Sequence, residues 1–138
     1  MEQIEFLILK NLLHNEKYLR KALPFIKAEY FQDSNQKIVF EEISSFVEQY
    51  NELPTKEILT IEIEKISDIN EESFKAVTHL IGCLDDSPVE FEWLVDTTEK
   101  WCRDRAIYLA LLDSIAIADG KDEKKNPEAI PSILSDAL

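Results

Sequence analysis

His14, His79, Cys83 and Cys102 are the side chains of this sequence best suited to ligate a metal or attack an electrophile, and their spacing supports neither role. No His-Glu-x-x-His occurs, nor the Glu-x-x-His of a di-iron bundle, and His79 is expected at a helix surface or core edge. Ser44, Ser45 and Ser73 have no histidine set beside them to activate a hydroxyl, and no carboxylate pair stands out from the acidic background as an acid and a base. The only glycines, Gly82 and Gly120, lie far apart. No loop of converging amides can then cradle a phosphate, so this chain alone is not expected to bind or hydrolyse ATP. If the helices before and after residues 85–87 fold back as a hairpin, Cys83 and Cys102 sit about 15 Å apart along its axis, too far for a disulfide. Two buried free thiols are expected.

With catalysis improbable, the elements and their surfaces carry the reading. At 138 residues, 45% hydrophobic and 31% charged, the chain is the size of one folded domain plus a tail. No apolar run approaches the roughly 20 residues of a membrane span, and Glu2 and Glu5 stand where a signal peptide has positive charge. The expected compartment is the cytoplasm. A net charge of −13 argues against direct contact with a phosphate backbone. The acid concentrates over residues 57–72, a run that is either a solvated face or an attraction for a basic protein partner.

Apolar residues recur at threes and fours throughout, which predicts an all-α fold: a compact helical bundle ending in a long helix or helical hairpin, with a short C-terminal linker helix. The first helix, residues 2–13, carries Ile4, Leu7, Ile8 and Leu12. Asn15 caps a short second helix that Pro24 ends. Asp33 to Gln36 is a capping-box pattern opening a helix to Tyr50, with Val39, Ile43, Phe46, Val47 and Tyr50 as its buried stripe. Thr55 is placed to cap residues 56–66, where alternation of isoleucine with polar residues leaves a strand as the alternative. Asn70 caps residues 71–84, with Phe74, Val77, Leu80, Ile81 and Leu84 facing inward.

A long helix over residues 88–119 is expected next, capped by Ser87 with Glu90 closing a capping box and ended by Gly120. Asp96 with Lys100 and Glu99 with Arg103 are expected pairs on its wet face. Residues 106–112 are all apolar and cover every side of that helix, more than one core contact needs. Trp101, Tyr108 and Ile115 repeat every seven residues, a coiled-coil spacing that an intramolecular core stripe also satisfies. Trp101, Tyr108, Leu111, Leu112 and Ile115 are the candidate oligomer interface. Residues 121–127 read as a solvated hinge. Beyond it Ile130, Ile133, Leu134 and Leu138 share one face of a helix too short to stand alone, a docking segment or one that folds back on its own domain. The expected division is a domain over residues 1–119 and a hinge with the start of a linker helix over 120–138.

The run Leu12-Leu13-His14-Asn15-Glu16-Lys17-Tyr18, then Ala28-Glu29-Tyr30-Phe31 and the helix from Gln36 to Tyr50, resembles the N-terminal domain of DnaB-type replicative DNA helicases. Asp86-Ser87-Pro88, Trp93-Leu94-Val95, Thr98-Glu99-Lys100, Arg105-Ala106 and the tail from Ala129-Ile130-Pro131 to Ala137-Leu138 resemble the T-even phage branch in the same order. The resemblance covers nearly the whole chain. It implies a helical bundle ending in a hairpin, which forms a collar on a hexameric ring and recruits primase and a helicase-loading protein within the primosome. It also implies that DNA is met only through the full-length ring, that ATP and magnesium belong to a motor domain missing here, and that residues 130–138 are the linker helix docking on a neighbour. A phage-encoded chain would act in the bacterial host cytoplasm. The chain is thus expected to be a non-catalytic fragment of an ATP-dependent helicase. The alternative is a free-standing acidic adaptor or DNA mimic that binds a basic protein, with a small helical enzyme as a remote third reading.

Overall fold

The computed structural model describes residues 3–121 and 126–138, and these are all-helical, with no strand among them. The α-helices are α1 (Gln3–His14), α2 (Glu16–Ala22), α3 (Ser34–Tyr50), α4 (Lys56–Glu64), α5 (Glu71–Cys83), α6 (Phe91–Ala118) and α7 (Ile130–Ala137). Short 3₁₀ turns, Leu23–Phe25, Ala28–Tyr30 and Pro127–Ala129, punctuate them. The contacts divide the chain into Met1–Val95 and Asp96–Leu138, so the division falls within α6, while the 119/120 boundary expected from composition coincides with that helix's end. The expected hinge falls largely on residues 122–125, outside the described residues.

In the first unit α3 is the hub: it packs on α1, α4 and α5, while α1 packs on α2 and α4 on α5. The core combines Ile8, Leu9 and Leu12 of α1 with Val39 and Ile43 of α3, Leu59 and Ile63 of α4, and Val77 and Ile81 of α5. Phe31 enters it fully and meets Phe40 at 5.2 Å between ring centroids. Helix starts follow local chemistry. Asn15, Thr55 and Asn70 each accept a hydrogen bond from the amide three residues on, and Asp33 accepts from Asn35 and Gln36. The α4 segment is a helix, not the alternative strand, because its buried residues Leu59 and Ile63 are one turn apart. Gln36 does not complete the capping box. It is fully buried and neither atom of its amide has a hydrogen-bond partner.

The start of α6 departs from expectation. Residues 84–90 are not helical, and the helix begins at Phe91, three residues after Pro88. Ser87 is engaged elsewhere: its hydroxyl donates to Asp85 at 2.5 Å and accepts from Lys10. The cap falls to Glu90, whose carboxylate accepts from the amides of Glu92 at 3.2 Å and Trp93 at 2.6 Å. At the far end Gly120 takes φ +73°, its amide bonding Ile117 O at 3.0 Å and that of Lys121 bonding Ala116 O at 2.9 Å, a left-handed stop as expected. Lys100 reaches forward to Asp104 at 3.9 Å rather than back to Asp96. The cysteines are less buried than expected: Cys83 is exposed and Cys102 half-buried.

Candidate interaction surfaces

Lys10, His14 and Lys17 fall four and three residues apart on α1 and α2, and all three reach the segment leading into α6. The Lys10 ammonium, nearly buried, binds the Ser87 hydroxyl and lies 3.1 Å from the Asp85 carboxylate. His14 Nε2–H donates to the Leu84 carbonyl at 2.7 Å, since a carbonyl only accepts. The Lys17 ammonium lies 4.2 Å from the centroid of the Phe91 ring. Hydrogen bonds from the Ser87 hydroxyl, the Ser87 amide and Lys10, in that order, hold the Asp85 carboxyl far below its ordinary value. This clamp fixes where α6 begins. Sequence reasoning missed it, because Lys10 looks like a surface residue until its partners, some 77 positions away, are known.

The five residues expected at an oligomer interface lie on one side of α6 by helical angle but differ in exposure. Trp101 is buried, whereas Tyr108, Leu111, Leu112 and Ile115 are each about half exposed, between 45% and 56%. The buried residues Ala110, Ser114 and Ile117 occupy the other side of the same stretch at i, i+4 and i+7. The Arg105 guanidinium covers part of Tyr108 at 5.0 Å from its centroid. Four large apolar side chains within two helical turns thus face outward. On α7, Ile130, Ile133 and Leu134 are half-buried and Leu138 is 88% exposed. Pro131 sits in its first turn, and Asn126 caps the preceding 3₁₀ turn by accepting from Glu128 at 3.0 Å.

Among the described residues no group of three or more His, Cys, Asp or Glu is arranged to hold a metal, and no helix is long and apolar enough to cross a membrane. No family model matches the chain. Its sequence is 34% identical to the DnaB-like replicative helicase of Enterobacteria phage T4, over 96% of this chain. This chain is related to DnaB-type replicative helicases. It spans 29% of the length of the T4 protein, and the match is consistent with the N-terminal domain of a DnaB-type helicase. Of the fragments that carry the DnaB resemblance, Leu12 to Tyr18 supplies His14 and Lys17 of the clamp, and Asp86 to Pro88 supplies the Ser87 that Lys10 binds.

Proposed function

We propose that this chain is the non-catalytic N-terminal collar domain of a phage-type hexameric replicative DNA helicase, supporting ring assembly and offering a surface to primase and to a helicase-loading protein. The exposed apolar face of α6 carries the reading. Holding Tyr108, Leu111, Leu112 and Ile115 in water forgoes about 25 cal/mol for each Å² of apolar surface, which the matching face of a neighbouring chain recovers. Trp101, about two turns earlier on the same side of the helix, is buried and so lies outside that exposed patch. Residues Ile130, Ile133, Leu134 and Leu138 serve as the linker-helix contact to a neighbouring subunit. ATP, magnesium and DNA belong to the motor and ring of the full-length protein.

Sedimentation velocity over a range of protein concentrations tests this. Tyr108→Glu and Leu112→Glu place a carboxylate in the centre of the face and should weaken self-association at least about tenfold, because an unpaired charge is costly to bury. Helicity by circular dichroism should be unchanged, since both side chains are exposed in the single chain. Variants that unfold, or that associate like the parent, would show that this face is not the interface.

A further inference from the structure

His79 and Cys83 stand one turn apart on α5, and both are exposed. Two donors make no metal motif in a sequence, but the fold closes them on each other: Cys83 Sγ lies 3.7 Å from His79 Nε2. They share an open depression of about 190 Å³ with Ala76 and Leu80 of α5 and with Asp33 and Asn35 at the start of α3. α3 and α5 pack directly on each other, so the depression belongs to the folded bundle. The Asp33 carboxylate is held in place on the α3 side, accepting from the amides of Asn35 at 2.8 Å and Gln36 at 3.1 Å.

The separation of the two donors matches a chelate. A single ion bound at about 2.3 Å to sulfur and about 2.0 Å to nitrogen, at a tetrahedral angle, holds them about 3.5 Å apart. From 3.7 Å, a small turn of either exposed side chain reaches that bite. The same contact suits a thiol–imidazole hydrogen bond, so an ion has only to replace the proton between them. Cys83 is the last residue of α5, and this end of the helix already draws a cation: the Lys56 ammonium lies 3.2 Å from the Gly82 carbonyl oxygen. Sulfur and imidazole nitrogen favour zinc and its neighbours over magnesium and calcium, which take oxygen. At about 30 Å³ for each water, the depression has room for the two that complete a tetrahedron.

We propose that His79 and Cys83 form a two-donor site for a divalent cation of the zinc class, one ion per chain, with water in the remaining positions. Among the described residues no group of three or more His, Cys, Asp or Glu is arranged around an ion, so the site is open and reversible, unlike the closed four-ligand centres that hold small domains together. On binding, the thiol proton passes to solvent and the neutral imidazole keeps its proton on Nδ1. Neither the ion nor the sulfur changes oxidation state. The ion ties together the last turn of α5, directly before the segment that Lys10 and His14 clamp. This site shares no residue with the α6 face, so either can fail without the other.

The test uses the intact, reduced chain with Co²⁺ and Zn²⁺ as probes. One Co²⁺ per chain should bind with the near-ultraviolet absorption of a cobalt–thiolate bond. Zn²⁺ should displace it, release about one proton at about pH 7 and raise the melting temperature. His79→Ala and Cys83→Ser should each weaken Zn²⁺ binding at least about tenfold by calorimetry, the loss that even an outer partner of a ligand causes, and Cys83→Ser should abolish the band. Cys102→Ser should change neither. Both donor positions are exposed, so helicity should be retained, and His79→Gln replaces His79→Ala if the alanine variant unfolds. Binding without the thiolate band, a band that survives Cys83→Ser, or affinity unmoved by the His79 variant would each overturn the proposal. So would an end point at half an ion per chain, which would place the ion between two copies.

Discussion

Asp85 ties the ionisation of one residue to the seating of a helix. Its carboxylate accepts from the Ser87 hydroxyl and amide and pairs with the nearly buried Lys10, so its folded value lies well below the ordinary 3.8. A depressed carboxylate contributes stability that is fully present above the unfolded value and disappears as pH falls through the folded one. Melting temperatures of the parent and Asp85→Asn should therefore differ by a constant gap above about pH 5, and the gap should narrow as pH drops below about 4. A gap that stays constant down to acid pH would mean that Asp85 gains nothing from these partners. The two thiols offer a second contrast at this scale. Cys102 is pushed up to about 11 by burial and then by Glu99, whereas Cys83 is exposed at the end of α5. A thiol reagent at about pH 8 should label Cys83 quickly and Cys102 only slowly, because the thiolate is the reacting form. Peptide mapping that finds equal early labelling at both sites would contradict the burial of Cys102.

Among elements, the two glycines make opposite demands. Gly120 ends α6 at φ +73°, where a Cβ is strained even though no atom lies within 4 Å of it, so Gly120→Ala should destabilise by about 1 kcal/mol. Gly82 lies inside α5 with the same open space and no positive φ, so Gly82→Ala should stabilise by up to about 1 kcal/mol. Urea denaturation of both variants checks the pair, and shifts of the same sign would refute it. These positions also mark what the sequence makes legible. Asn15, Asp33, Thr55, Asn70 and Gly120 act on backbone groups within five residues, so local pattern suffices to place them. Ser87 had the same local pattern and failed as a cap because Lys10, distant in sequence, holds its hydroxyl. The exposed apolar patch of α6 was legible in part, since an apolar run longer than one face must expose something. Periodicity could not separate buried Trp101 from exposed Tyr108, which share a seven-residue spacing. Nor could it tell that Phe46 and Tyr50 lie at the rim of α3 and not in the core.

For the whole molecule, a charge of −13 acts against any encounter between copies and in favour of any encounter with a basic protein. The proposed α6 surface should therefore respond to salt in one direction. Association through Tyr108, Leu111, Leu112 and Ile115 is apolar and is opposed by repulsion between chains. Added salt shortens the Debye length from about 14 Å at roughly 0.05 M to about 4 Å at roughly 0.5 M, and it relieves that repulsion. Self-association should strengthen across this range in sedimentation experiments. If it weakens instead, self-association is itself electrostatic and the apolar face of α6 is not what joins the chains.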